Sequence, residues 1–424
     1  MPHEPSNPSG SAELKESPLL HPRAHQPRPL GLRYCLTAHK LKPGHRLSVL
    51  VDGAEAYPAM LAAILGARHE VLFETYIFES DSAGRRFHHA LCERALSGVS
   101  VRLIVDGAGS WGLSAGHRDA LLDAGAHVAT FHPVGPWRRR WGWSVRDHRK
   151  LLVVDEELAF TGGLNIADEY APREWGGKGW HDVHVRVQGP VVADLRRFFF
   201  DSWRYASPDG VPRRTTHPRR PRAPKASGDD LVAAAAQSTA ADGGRVQALA
   251  VGRFRDRRAI EKHLRRAVSL SQMRVFVYSA YFIPNRRWRK TLRRAAMRGV
   301  DVRVMLPHHS DVPGIVHASR YTYASLLRGR VRIFEYLPTM LHAKAIVVDG
   351  AWCTIGSYNL DQRSLQYNWE VALSIVDDDA AFALEERFAR DLVLCREIDP
   401  TEWRRRPFWQ RIQERIFYYF RLWL

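Results

Sequence analysis

Two stretches of the chain run through the same order of apolar and polar positions. In the first, Val71-Leu-Phe-Glu-Thr-Tyr-Ile-Phe78 is an apolar, strand-forming run. A helical pattern follows from about Arg85 to Ser97, then Gly98, then the apolar run Val101-Arg-Leu-Ile-Val105, ending at Asp106. In the second, Val275-Phe-Val-Tyr-Ser-Ala-Tyr-Phe-Ile283 is strand-like, a basic helix spans about Arg286 to Arg298, and Gly299 precedes Val302-Arg-Val-Met-Leu306. Strand, helix, glycine, strand in the same order twice predicts a βαβ unit in each half. The offset between matching positions drifts only from 205 (Tyr76 to Tyr281) to 201 (Gly98 to Gly299), as changes in loop length produce.

The breaks in this pattern set the expected organisation. Residues 1–30 are rich in Pro, Ser and His without periodicity and read as a disordered segment. A first lobe is expected over 31–206. Residues 207–244 hold Pro208, Pro212, Pro218, Pro221 and Pro224 among arginines, then an Ala-rich stretch, and read as a linker or insertion. A second lobe follows over 245–402. Over 403–424, Phe408, Ile412, Ile416, Phe420 and Leu424 recur every four residues, with Trp409, Phe417 and Trp423 broadening that face and Arg411, Arg415 and Arg421 between. This predicts a basic, aromatic amphipathic helix, open to two readings: an interfacial anchor or a helix docked on the domain. The fold class is α/β: two similar lobes, each a mixed sheet flanked by helices, with one active site between them.

Composition narrows the partners. Of 424 residues, 45% are hydrophobic and 25% charged, which excludes wholesale disorder. The longest apolar runs are about half the length of a membrane span, and no signal-peptide pattern opens the chain. Cys35, Cys92, Cys353 and Cys395 are far apart without C-x-x-C spacing, which argues against a disulfide framework or zinc site and for a reducing compartment. Lys+Arg number 63 against 45 Asp+Glu, a formal charge of +18. That balance favours a polyanionic partner, nucleic acid or an anionic membrane, without choosing between them.

One segment in each half carries chemistry. His148-Arg-Lys150-Leu-Leu-Val-Val-Asp155 is followed six residues on by Gly162-Gly163-Leu-Asn165. His342-Ala-Lys344-Ala-Ile-Val-Val-Asp349 is followed, at the same spacing, by Gly356-Ser357-Tyr-Asn359. On a strand, residues i and i+2 share a face, so each His projects with its Lys while Arg149 and Ala343 point away. If the halves pack face to face, two His, two Lys and two Asn converge. That set suits a phosphodiester: a nucleophile, a proton carrier, and four donors for phosphate oxygens. Only nine of the 63 basic residues are lysines, yet two occupy these matched positions, which points to a site wanting a compact charge.

The doubled H-x-K-x4-D pattern resembles the phospholipase D superfamily. More narrowly, Glu74-Thr-Tyr-Ile-Phe78, Gly84-Arg-Arg-Phe87, Val105-Asp-Gly-Ala-Gly-Ser110, Ser310-Asp-Val-Pro313 and Gly356-Ser-Tyr-Asn-Leu-Asp-Gln-Arg-Ser364 resemble bacterial cardiolipin synthases of the branch without transmembrane helices. The resemblance covers roughly residues 45–205 and 245–410. It implies a catalytic set of His148, Lys150, Asp155, His342, Lys344 and Asp349. One His attacks phosphorus and the other handles the proton; His148 is assigned as nucleophile and His342 as acid/base, with the reverse open. Asn165 and Asn359 join the lysines on the phosphate oxygens. Asp155 and Asp349 lie several residues along the strand and are usually structural in the family. Asp182 and Glu370 match the acidic residues that orient the histidines.

The resemblance further implies transfer of a phosphatidyl group from phosphatidylglycerol, through a phosphohistidine, to a second phosphatidylglycerol, giving cardiolipin. The expected place is the cytoplasmic side of a bacterial inner membrane, as a peripheral protein. The alternatives are a lipid hydrolase and a nuclease acting through the same residues. The C-terminal aromatic helix favours an anionic phospholipid membrane over nucleic acid. Pro136-Trp-Arg-Arg-Arg-Trp-Gly-Trp143 fits a membrane interface, single-stranded nucleic acid, or a packed loop. The remaining histidines lack metal-ligand spacing and no Walker-type loop is present, so no metal or cofactor is expected. With both motifs in one chain, an oligomer is not required to complete the site.

Overall fold

The structure, a computed structural model, describes residues 31–134, 145–207, 243–252 and 256–421. The segment 1–30, nearly all of the expected linker 207–244, the stretch Pro136–Trp143, and Trp423 and Leu424 lie outside the described residues.

The first half contributes β1 (Lys42–Val51), β2 (Glu70–Thr75), β3 (Ser100–Asp106), β4 (His127–Phe131), β5 (Leu151–Val154), β6 (Leu158–Gly162) and β7 (Val183–Gln188). The second contributes β8 (Gly244–Val251), β9 (Arg274–Ser279), β10 (Asp301–Pro307), β11 (Arg332–Tyr336), β12 (Lys344–Val348), β13 (Trp352–Gly356), β14 (Glu370–Val376) and β15 (Cys395–Glu397). In each half three strands run parallel (β2-β3-β4 and β9-β10-β11) and the rest antiparallel, so each lobe is mixed. From the centre outwards the orders match: β1-β7-β6-β5-β2-β3-β4 and β8-β14-β13-β12-β9-β10-β11, with β15 added at the edge.

The two halves do not keep separate sheets. β1 pairs antiparallel with β8 (Lys42 with Val246, His45 with Gly244), fusing them into one 15-stranded sheet. Each of these strands would otherwise offer an unpaired edge, and pairing them removes it. The antiparallel seam relates the lobes by an approximate two-fold, which carries equivalent strand ends towards one another.

The helices take their places by periodicity. Helix Val192–Ala206 buries Leu195, Phe198, Phe199 and Ser202 at the i, i+3, i+4, i+7 spacing. It shares a central core with Leu384 and Phe388 of helix Asp378–Leu392. Outer layers are formed by Asp52–Leu65 and Ser82–Leu96 in the first lobe, and by Ala259–Leu270, Arg286–Met297 and Pro313–Leu327 in the second. Helix Arg286–Met297 buries Trp288, Thr291, Leu292, Ala295 and Ala296, so its many arginines sit on the other face.

The chain end departs from the expected single helix over 403–424. Two helices form, Pro400–Arg405 and Phe408–Tyr419, the first starting before residue 403. Asp399 caps the first by accepting from the backbone N–H of Thr401 and Glu402. Pro407 is extended (φ −55°, ψ 145°) and has no N–H to donate, so it ends one helix and starts the next.

Candidate active site

Alternation along the motif strands holds. His148 and Lys150 lie on one side of the backbone, while Arg149 crosses to the other, donating to Phe198 O (3.0 Å), Ser202 Oγ (2.8 Å) and Val251 O (2.9 Å). The leader of each motif is laced to the opposite lobe. His148 N donates to Trp369 O (3.0 Å) and Trp369 N to Arg146 O (2.8 Å); His342 N donates to His181 O (2.7 Å) and His181 N to Met340 O (2.9 Å).

This lacing crosses the carboxylates. His148 Nδ1 lies 3.1 Å from both oxygens of Glu370, and His342 Nδ1 lies 2.7 Å from Asp182 Oδ2. Each histidine is thus oriented by an acid from the other lobe. An ionised carboxylate only accepts, so Nδ1 carries the proton and the Nε2 lone pair faces the site. The two Nε2 atoms differ. That of His342 lies 3.1 Å from Lys344 Nζ and 3.5 Å from the Tyr170 hydroxyl, whereas among the described residues that of His148 has no hydrogen-bond partner.

All four cationic and imidazole groups are buried. Burial, then the adjacent lysine charge, lowers His148 to about 4 against the pull of Glu370. The same causes lower His342 to about 4 against Asp182. Burial and Lys344 lower Lys150 to about 7, and burial lowers Lys344 to about 8. Both imidazoles are therefore neutral at pH 7, and the lysines, lowered by burial, are held up by the charges of Asp182 and Glu370. Lys150 Nζ donates to His148 O (2.9 Å) and lies 5.2 Å from the Tyr76 ring centre. Tyr76 also meets the His148 ring edge-on at 5.2 Å, and its repeat partner Tyr281 meets His342 at 6.2 Å.

The small-residue pairs explain themselves here. A Cβ on Gly163 would lie 2.1 Å from Asp182 Oδ1, so the carboxylate occupies the space a side chain would need. In the second motif Ser357 fills that position and its hydroxyl donates to Glu370, which also accepts from Ser364 Oγ (2.7 Å) and Asn368 Nδ2 (3.4 Å). Asn165 and Asn359 are buried beside these pairs, each accepting a backbone N–H, from Ile77 (3.2 Å) and Tyr281 (3.4 Å). Asn165 Nδ2 donates to Tyr170 (2.7 Å), while among the described residues Asn359 Nδ2 has no partner.

Asp155 and Asp349 do not join this group, which corrects their inclusion in the catalytic set. They sit at the far ends of β5 and β12, in turns with positive φ at Asp155 and Glu156 (52° and 59°) and at Asp349 and Gly350 (54° and 63°). Asp155 accepts from the N–H of Arg68, His69 and Glu70; Asp349 accepts from those of Gln272, Met273 and Arg274 and from Tyr34. Three N–H donors and a left-handed conformation, which Asp tolerates, account for the motif aspartate as a clamp on the entry to β2 and β9.

Sequence reasoning missed Tyr76, Tyr281, Tyr170, Ser364 and His181 as members of the site. The Tyr76–Tyr281 match in the repeat was a usable signal. His181 carried none, because its repeat partner is Trp369. It is buried between Asp52 Oδ1 and Asp391 Oδ2, 2.7 Å from each, directly beside Asp182.

A family model described as "Cardiolipin synthase, PLD-like domain" matches residues 60–194 and 264–392. Among curated proteins, the chain is 31% identical over 405 residues to a cardiolipin synthase of Alkalihalophilus pseudofirmus, covering 96% of this chain and 77% of that one. It is 35% identical over 390 residues to cardiolipin synthase A of Pseudomonas fluorescens, covering 91% and 75%. Among solved structures, phosphatidylserine synthase of Haemophilus influenzae Rd KW20 shares the fold, with a TM-score of 0.67 over 92% of this chain and 96% of that one, at 13% identity.

Proposed function

We propose, since the chain belongs to the phospholipase D-like cardiolipin synthase family, that it is a phosphatidyltransferase making cardiolipin from phosphatidylglycerol. The observation that carries this reading is the pair of neutral, buried histidines, each held by a carboxylate of the opposite lobe beside a lysine. The unengaged Nε2 of His148 supports it as the nucleophile. Its lone pair attacks phosphorus and a P–N bond forms as the P–O bond to glycerol breaks. His342 delivers a proton to the departing glycerol oxygen. It then takes one from a hydroxyl of the second phosphatidylglycerol, whose oxygen displaces His148.

The lysines serve both steps. Burial is the main cause holding His342 down; a bound phosphodiester anion between Lys150 and Lys344 offsets the Lys344 charge that adds to it, so substrate binding raises His342 towards the protonated acid. Lys150, Lys344 and the free amide of Asn359 supply donors to the phosphate oxygens; Asn165 acts through Tyr170. Among the described residues no helix is long and apolar enough to cross a membrane. Peripheral attachment to the cytoplasmic face of a bacterial inner membrane follows from the substrate and the +18 charge, and an anionic phospholipid membrane is the partner we assign.

Purified protein is incubated with phosphatidylglycerol vesicles, with and without phosphatidylethanolamine, and the lipids are analysed by mass spectrometry. Cardiolipin is expected with wild type and none with His148→Ala or His342→Ala. Phosphatidic acid as sole product replaces the transferase by a hydrolase. Cardiolipin formed only with phosphatidylethanolamine changes the donor. No lipid change at all overturns the reading and turns attention to nucleic acid.

A further inference from the structure

Helix Phe408–Tyr419 has one covered side. Glu414 is buried and paired with Arg406 (2.7 Å), Phe417 stacks on His317 (5.2 Å between centroids) and Tyr418 on Tyr321 (4.2 Å). Phe417 and Tyr418 join Ile283, Ile315 and Ala318 in a small apolar cluster that includes Tyr281 and Val312. The opposite side is bare: Phe408, Trp409, Ile412, Ile416, Tyr419 and Phe420 are between 44% and 76% exposed. At 3.6 residues per turn these six fall within an arc of about 120°. Arg411 and Arg415 are exposed along one edge of the arc, and Arg404 and Arg405 on the preceding helix. Among the described residues none of these four arginines pairs with a carboxylate. A groove of about 580 Å³ on this side is lined by Tyr321, Ile412, Ile416 and Phe420 together with Arg415 and Arg421.

We propose that this face docks on an anionic lipid bilayer and so sets the mouth of the active site against the lipid. Six contiguous exposed apolar side chains call for a cover. A second copy of the chain would bring the same uncompensated arginines against themselves. A nucleic acid would set phosphates against isoleucines. A bilayer surface takes both: the aromatic and aliphatic arc enters the headgroup boundary and the arginines meet lipid phosphates. The covered side supplies the link to chemistry. Its cluster contains Tyr281, whose ring lies 6.2 Å from that of His342 and whose hydroxyl donates to Asp311 (2.8 Å). The docking helix is thus tied, through its covered side and Tyr281, to the rim of the pocket that holds the acid/base histidine. This inference rests on the phospholipid substrate proposed above.

The test uses the full chain and flotation with vesicles of equal parts phosphatidylglycerol and phosphatidylcholine, against phosphatidylcholine alone. Ile412→Ser/Ile416→Ser and, separately, Arg411→Glu/Arg415→Glu replace exposed groups; of these, Arg411 donates to Arg404 O and none pairs with a carboxylate among the described residues. Each pair is expected to weaken binding to the anionic vesicles by about tenfold or more. The ratio of turnover on vesicles to turnover on a short-chain, monomeric phosphatidylglycerol should fall in step. Wild-type binding by either variant overturns the proposal. So does a wild-type dimer in light scattering that Ile412→Ser/Ile416→Ser dissolves, or an unchanged turnover ratio despite lost binding. Wild type that binds anionic vesicles, with the variants impaired, yet converts neither lipid form upholds the docking face and overturns the phosphatidyl-transfer reading.

Discussion

The two half-sites share a plan and differ in how each carboxylate is held. On the Asp182 side the acid is short, Gly163 yields the space, and His181, clamped by Asp52 and Asp391, braces the segment from the side. On the Glu370 side the acid is longer and is gripped directly by Ser357, Ser364 and Asn368, with Trp369 in the place of His181. The histidines differ accordingly. His342 Nε2 sits under Lys344 and Tyr170, and His148 Nε2 is open. Equal motifs thus make an unequal pair, one arranged to attack and one to exchange protons.

The largest effect expected from this comparison comes from the small-residue positions. Gly163→Ala places a methyl on the Asp182 carboxylate, displaces it from His342, and should lower kcat by about a hundredfold, as misplacement on the order of 1 Å does. Ser357→Ala removes one of several donors to Glu370 and should cost about tenfold, in line with loss of one charge-assisted hydrogen bond. Measured kcat for the two variants in the reverse order would break the assignment of unlike supports.

A smaller, graded effect lies in the pH profile. His148 is held at about 4, so kcat/KM should fall only as pH drops towards that value, below the acid limb of a free imidazole. The alkaline limb should combine loss of the His342 proton, held at about 4 before substrate binds, with loss of charge from Lys150 at about 7 and Lys344 at about 8. Lys150→Arg should move the alkaline limb upwards by removing the lower of the two; an unmoved limb would exclude Lys150 as its origin.

The smallest expected effect is on stability. Burial lowers His181, but hydrogen bonds and charge from Asp391 and Asp52 override it and raise it to about 9. The folded value exceeds the unfolded one near 6.5, so its contribution is complete below about pH 6.5 and is lost as pH rises through about 9. His181→Gln should flatten the pH dependence of thermal unfolding in that window by on the order of 3 kcal/mol. Trp369→Phe, in the other half-site, should leave that dependence in place. Equal flattening by both would remove the asymmetry.

Much of this was legible from residues alone. The i, i+2 alternation predicted His148 with Lys150 and Arg149 turned away, and it holds in the segment leading into β5 (Leu151–Val154). The repeat pointed to Tyr281 as the partner of Tyr76. The motif aspartates share the motif's spacing, but that spacing is strand length, and strand length carries them out of the site. The C-terminal segment divides into two helices because its four-residue apolar recurrence begins only at Phe408, just after Pro407, which has no N–H to donate.

By itself the sequence determined that the halves are homologous, that each offers a His and a Lys on one face, and that two acids stand downstream. These are properties of local periodicity and of spacing along one strand. Only the tertiary structure decided that the carboxylates cross, that Gly163 and Ser357 answer a short and a long acid, and that one Nε2 is open while the other is covered. The reason is the β1–β8 seam. Its approximate two-fold brings the ends of distant strands together, and no pattern within either half records which acid will meet which histidine.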